Sequence, residues 1–194
     1  MESYILHTLE ELVTDRGFVF CEENQVQNKE KEENLCVLRN PSQEEIEESP
    51  KDPLYVLWFR GASLQTAHIQ QAQEYLPLSS AVILVVGSAK NAPLIKQYRT
   101  RSRLDIFEER ELYRNITRHK LYMPHRLLST KESGQVLKRY FLKNKEKFPR
   151  IYRTDPVVKY FGWQVGSILE IKRFYGEDMC PIRYWRVVVD PPWR

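Results

Sequence analysis

Apolar residues at Ile5, Leu6, Leu9, Leu12 and Val13 recur at helical spacing, which predicts a helix over Glu2 to Arg16 ended by Gly17. Phe18-Val19-Phe20 then reads as a short strand. Tyr55-Val56-Leu57-Trp58-Phe59 is strongly strand-prone, and Leu64 to Leu76 is compatible with a helix. Ala81-Val82-Ile83-Leu84-Val85-Val86 is a continuous β-branched run, the pattern of a strand covered on both faces, with Gly87 and Ser88 ending it. A helix over Pro93 to Arg99, a short strand over Leu104 to Phe107 and a helical turn over Glu108 to Tyr113 follow. Strands alternating with helices predict a layered α/β domain over residues 1–114.

The pattern changes near Arg118, where a second, α+β unit over residues 118–194 is expected. Lys120-Leu121-Tyr122 reads as a strand. Ser129 and Glu132 have capping-box spacing, so a helix should start there and run to about Asn144, with Val136, Leu137, Tyr140 and Phe141 facing inward. Asp155 suits a helix cap, Pro156 the first helical position and Gly162 the left-handed residue that ends the helix. Gly166 marks a turn, after which residues 168–174 and 182–189 are expected to pair as antiparallel strands.

Composition changes this picture in one place. Residues 22–52 carry ten Asp or Glu against four Lys or Arg, and the proline-containing, polar stretch reads as a solvated loop or insertion with a short helix at Glu44 to Glu48. Residues 88–160 carry nineteen Lys or Arg against seven Asp or Glu, although the whole chain has a net charge of only +4. A basic face of this kind fits either a solvated surface or a site near nucleic acid or an acidic protein. The three cysteines, Cys21, Cys36 and Cys180, share no metal-ligand spacing, and an odd, sparse count fits a reducing compartment. No apolar run approaches the roughly 20 residues of a membrane span, and Met1-Glu2-Ser3 lacks the basic start of a secretion signal. The expectation is a soluble intracellular protein.

Candidate catalytic chemistry is sparse. His7, His68, His119 and His125 lie in no metal-ligand pattern. His119 and His125 flank a proline, where hydrogen bonds that pin a turn are the simplest role for both rings. Gly87-Ser88-Ala89-Lys90 follows a strand but lacks the two-glycine frame and Lys-Ser/Thr pair of a phosphate loop. A layered domain of this outline invites comparison with restriction-type nucleases, which need two carboxylates and a lysine at the central strand. Val56-Leu57-Trp58-Phe59-Arg60 supplies none of them. No catalytic residue, metal or cofactor is expected.

Two blocks carry a resemblance. The first is Pro149-Arg150-Ile151, then Asp155-Pro156-Val157, then Tyr160-Phe161-Gly162 and Gly166; the second is Asn115-Ile116-Thr117 with His119, Leu121, Pro124, His125, Leu128 and Ser129. In this order and spacing the chain resembles the fifth subunit shared by the eukaryotic nuclear RNA polymerases and its archaeal counterpart. The resemblance covers residues 104–188 well and the N-terminal half in outline. Two departures stand out. The proline of the second block follows Tyr122-Met123 and is followed directly by His125, and Phe174 to Pro181 replaces the family's usual hairpin before Tyr184-Trp185-Arg186.

The resemblance implies a non-catalytic subunit of a multisubunit DNA-directed RNA polymerase. It implies an N-terminal jaw-like α/β domain near downstream duplex DNA, with a restriction-endonuclease-like outline and no active site. It also implies a C-terminal assembly domain on the largest subunit, beside neighbouring small subunits. By position, the loop of Ser88, Ala89, Lys90 and Asn91 would approach the DNA. His119, Pro124, His125, Asp155, Pro156, Tyr160, Arg173 and Arg186 carry over as partner-binding positions. Asp155, Pro156 and Gly162 already have an intrachain role as caps, whereas the guanidinium groups of Arg173 and Arg186 suit bidentate capture of a partner carboxylate, or internal pairing with Glu170. The expected location is the nucleus, or the cytoplasm or virion for a viral homologue. The competing expectation is a free-standing nucleic-acid-binding adaptor built on the same two domains.

Overall fold

In a computed structural model, the described residues are 2–20, 26–28, 33–39, 54–75, 81–90, 93–95, 103–174 and 180–192. The chain divides into two compact units, residues 1–115 and 116–194.

The first unit opens with α1 (Glu2–Asp15), whose buried side includes Ile5, Leu9, Leu12 and Val13. Its sheet comprises β1 (Val19–Phe20), β2 (Val26–Asn28), β3 (Glu33–Arg39), β4 (Leu54–Ser63), β5 (Ala81–Ser88) and β6 (Leu104–Glu108), in the order β1-β3-β4-β5-β6 with β2 beside β3. β4, β5 and β6 run parallel, and α2 (Thr66–Tyr75) makes the crossover from β4 to β5. β5 is central, and Val82 through Val86 are wholly buried, as a continuous apolar run in a parallel sheet should be. Leu57, Phe59, Val82, Leu84 and Val86 pack with Ile69 and Ala72 of α2. Arg16, just after α1, pairs with Asp105 of β6 at 2.9 Å, both side chains largely buried.

The acidic stretch does not read as a solvated loop throughout. β2 and β3 form within it, and β3 pairs antiparallel with β4 over Glu33 to Leu38. The local composition is polar, but the apolar β4 offers an unpaired row of backbone groups, and laddering satisfies those of both strands. The helix expected at Glu44–Glu48 lies outside the described residues, as does the second half of the one expected at Pro93 to Arg99; Pro93 to Ile95 are helical.

β4 and β5 also run further than their apolar cores. Their register shifts between Phe59 and Ser63, where Gly61 takes φ +62°. One oxygen of Glu109, in the 3-10 turn Glu109–Leu112 after β6, accepts from the Gly61 amide at 2.8 Å and from the Trp58 indole at 2.9 Å. Gly87 of β5 lies so close to this bulge that a Cβ on it would stand 2.6 Å from the Gly61 carbonyl carbon.

The second unit is a four-stranded sheet in the order β7-β9-β10-β8, formed by β7 (His125–Leu127), β8 (Arg150–Tyr152), β9 (Ile168–Arg173) and β10 (Ile182–Val189). β9 and β10 pair antiparallel over Ile168 to Arg173, and β8 adds parallel to β10. Its two faces carry separate apolar clusters. On one, Val136 and Leu137 of α3 (Thr130–Arg139) cover Leu128, Phe148, Ile168 and Val187. On the other, Val158 of α4 (Pro156–Phe161) covers Ile151, Leu169, Ile171 and Val188.

Both helix starts follow the sequence. The Ser129 hydroxyl accepts from the Glu132 amide at 3.2 Å while the Glu132 carboxylate accepts from the Ser129 amide at 2.8 Å. Asp155 accepts from the amides of Val157 and Val158, Pro156 stands in the first turn, and Gly162 closes α4 at φ +67°. Two expectations fail, and one strand is not expected at all. Lys120 to Tyr122 form a turn, with the Tyr122 amide donating to the His119 carbonyl at 2.8 Å, and the strand comes after Pro124 instead. α3 ends at Arg139, five residues early, and Phe141 faces outward, 94% exposed. β8 is hidden in the sequence because three residues after a proline carry too little pattern.

Gly87→Ala is expected to lower the stability of the full chain by about 1–3 kcal/mol, because the added methyl meets backbone that a tied bulge cannot yield. Urea denaturation of the variant against the parent checks this; an unchanged midpoint would mean that β4 and β5 separate freely there.

Candidate partner interface

Alternation along a strand puts every second side chain on one face, and the register then decides which matched residues meet. Ile171 stands opposite His125 on β7 and Tyr184 on β10, and Leu169 stands opposite Arg186. Arg173 lies two residues beyond Ile171. His125, Arg173, Tyr184 and Arg186 therefore share the face that α4 covers only in part. Asp155, at the start of α4, joins them from above.

The side chains on this face interact. His125 Nδ1 lies 2.6 Å from the Met123 carbonyl, which fixes the neutral tautomer with its proton on Nδ1, and the ring stacks on Tyr122. Burial pushes the imidazole below its ordinary pKa; the Met123 hydrogen bond and Asp155 oppose this, and the positive charges of Arg173 and Arg186 add to it. The Arg173 guanidinium lies over the Tyr184 ring, 4.8 Å from its centre, and its buried Nε has no hydrogen-bond partner. Arg186 donates to the Arg150 carbonyl at 2.9 Å. Arg150, Ile151, Tyr152, Thr154, Asp155 and Arg186 line an open cleft of about 280 Å³. The cleft sets the Arg186 guanidinium and the Asp155 carboxylate beside the apolar Ile151, so it offers a cation for a carboxylate-bearing side chain next to an acceptor of its own.

Internal pairing with Glu170 takes other arginines. Glu170 points to the opposite face, where Arg126 of β7 approaches it at 3.6 Å and Arg183 of β10 at 3.9 Å. Arg126 also holds Glu132 at 2.6 Å, and this contact, with the Ser129 hydrogen bonds, brings the Glu132 pKa down to about 2.

The remaining matched residues are structural in their contacts. The exposed His119 accepts from the Leu121 amide at 3.2 Å, and the Pro124 carbonyl accepts from the Lys172 amide at 3.0 Å. Pro156 is exposed at the helix start. Tyr160 is 3% exposed, so as a partner contact it is corrected to a core residue that holds α4. Sequence reading missed Tyr184, which the strand register brings to this face opposite Ile171, and the Arg150 carbonyl, which meets Arg186 there through the backbone.

In the first unit, Ser88 ends β5 and its carbonyl accepts from the Leu64 amide at 2.8 Å. The Ala89 amide donates to Glu108 at 2.9 Å, so the backbone approach expected of this small residue is already taken up within the fold. Lys90 is exposed, and Asn91 lies outside the described residues. No three of His, Cys, Asp and Glu gather as a metal site among the described residues, and no described helix is long and apolar enough to cross a membrane.

Comparison with known proteins bears on both units. Residues 114–188 match the family RNA polymerase Rpb5, C-terminal domain. Over 187 residues the chain is 30% identical to the DNA-directed RNA polymerases I, II, and III subunit RPABC1 of Caenorhabditis briggsae, covering 87% of each protein. The chain belongs to the Rpb5 family of RNA polymerase subunits. It is also 27% identical over 184 residues to the DNA-directed RNA polymerase subunit 5-like protein 1 of Arabidopsis thaliana, again covering 87% of each. A Dictyostelium discoideum RPABC1 is 28% identical over 185 residues, covering 87% of the chain and 88% of the relative. The kinship of this Rpb5 relative thus extends well beyond the second unit, whose motifs made it legible.

Because the folded state holds His125 below its ordinary value of 6.5, the unfolded chain takes up this proton first as pH falls. The stabilisation is complete above about pH 6.5 and is lost as pH drops below it. Urea midpoints of the parent should fall between about pH 7.5 and pH 5.5, and those of His125→Gln should fall less. Equal slopes would remove His125 as the source. Glu132 does not interfere, since its contribution is lost only between its ordinary 4.5 and about 2.

Proposed function

We propose that this Rpb5-family chain is a non-catalytic subunit of a multisubunit DNA-directed RNA polymerase, that its second unit docks on the largest subunit, and that its first unit lies near downstream duplex DNA. Transcription is the shared business of its relatives, and membership of such a complex follows from the family. Docking through the second unit rests on one observation: His125, Asp155, Arg173 and Arg186 converge on a face whose cationic groups lack carboxylate partners among the described ion pairs. An acidic partner residue beside Arg173 and Arg186 would supply what that face lacks. Lys90 is the contact to DNA in this reading, a phosphate contact without sequence preference. The nucleus is the corresponding location.

The test is affinity purification of the tagged chain from its native cell, washed at moderately high salt. The two largest polymerase subunits should be retained in near-stoichiometric amounts, and Arg173→Ala with Arg186→Ala should reduce their retention by about tenfold or more, as loss of a desolvated charge pair does. Recovery of the chain alone, or with nucleic acid that salt removes, would favour the free-standing adaptor, which the excess of nineteen cationic over seven acidic residues in 88–160 would then explain.

Lys90→Glu is expected to leave this retention unchanged while weakening the hold of the assembled polymerase on downstream duplex, read as faster dissociation from a DNA template at low salt. Loss of the polymerase subunits instead would put residue 90 in an interface.

A further inference from the structure

We propose that Phe141 and the cations around it form a second docking site, which inserts the phenyl ring into an apolar pocket rimmed by carboxylates on a folded protein partner.

The backbone points to it first. Helix α3 ends in a complete Schellman motif: the Phe141 amide donates to the Lys138 carbonyl at 3.1 Å and the Leu142 amide to the Leu137 carbonyl at 2.9 Å. Leu137 and Leu142 both pack against the buried cluster of Leu128, Phe148, Ile168 and Val187, where the motif's apolar contact is expected. The residue between them must be left-handed, a position that glycine or asparagine usually fills. Phe141 fills it at φ +55°, and among the described residues it is the one non-glycine with a positive φ. A side chain there is strained. Burial does not compensate, because Phe141 is 94% exposed. Both terms are unfavourable in the free chain, and both are offset once the ring enters a pocket. The motif also holds the ring in a fixed direction before any partner arrives, which lowers the entropy cost of binding.

Charge selects the partner. Lys138, Arg139, Lys143, Lys145 and Lys147 surround Phe141 in sequence, all exposed, against the single carboxylate of Glu146. Lys138 and Arg139 complement the helix C-terminus and Lys145 donates to the Gly166 carbonyl at 3.3 Å, but Lys143 and Lys147 lie beyond the helix and answer to no such need. A ring anchor inside a cationic rim matches a pocket inside an acidic one. Single-stranded nucleic acid is the poorer match, since binders of that class stack successive bases on several rings. The neighbouring Tyr140 ring is committed to Phe148 and Trp185, at 6.4 and 5.4 Å, which leaves one free ring. The tip belongs to the α3 side of the sheet, opposite the face that carries His125 and Arg186, so it is a separate site.

Two measurements on the full chain test the proposal. First, Phe141→Gly should melt at the same temperature as the parent or higher, because glycine relieves the left-handed strain; a lower melting temperature would assign the ring a structural role and overturn the proposal. Second, p-benzoylphenylalanine at position 141, in the tagged chain within its native complex, is irradiated and the crosslinked peptide sequenced. The expected result is one protein segment with Asp or Glu close to the crosslink. Its yield should fall about fivefold with Lys143→Glu and Lys147→Glu, the loss of two exposed pairs, and recover when the partner's acidic residues are changed to Lys. Crosslinks to nucleic acid alone, a yield insensitive to these charges, or no discrete product would each overturn it.

Discussion

The second unit is organised around one buried carboxylate. Glu170 stands in the middle of β9, on the face that α3 covers, and is 5% exposed. Such a charge is costly to bury unless cations attend it. Arg126 and Arg183 do so from the strands on either side, so the attraction that offsets desolvation is available only when β7, β9 and β10 are in their native register. A slip by one residue would turn Glu170 into the α4 cluster and strand it among Ile151, Val158 and Val188. The same Arg126 reaches Glu132, which closes the capping box of α3. One chain of charges therefore fixes the strand order, the sheet face and the start of the helix above it.

That arrangement decides what the other face can offer. With Glu170 engaged by Arg126 and Arg183, Arg173 and Arg186 have no claim on it, and they stand with His125 and Asp155 where α4 leaves the sheet partly open. This sorting is a by-product of register: the structural carboxylate on one side and Arg173 and Arg186 on the other are placed on opposite faces of the sheet by the alternation of side chains along β9 and β10.

Much of this is legible in the sequence because it is local. Asp155, Pro156 and Gly162 each act within a few residues of themselves, as do Ser129 and Glu132, and the helix starts they predict are the ones that form. β5 is legible because burial on both faces leaves a run of apolar residues that nothing else explains. What fails depends on distant partners. β3 exists because β4 offers it a ladder, and β8 because β10 does. Phe141 reads as inward only when a helical stripe is extended past the point where the chain turns left-handed, a turn that its own residue type argues against. Among the matched site residues, sequence identifies the set but not its division. Only the structure tells that Arg173 and Arg186 share the face that α4 leaves partly open while Tyr160 lies in the core.

β10 is the last described strand in sequence yet occupies the interior of its sheet, between β9 and β8. A strand in that position cannot be added as an afterthought. Until residues 182–189 have been synthesised, β9 lacks its longest partner and β8 has none, and the two apolar clusters lack Val187 and Val188. The unit therefore becomes a folded body only once residues 182–189 are present, and then all at once. The order of strands in the sheet thus makes the fold of the whole unit conditional on one segment, residues 182–189.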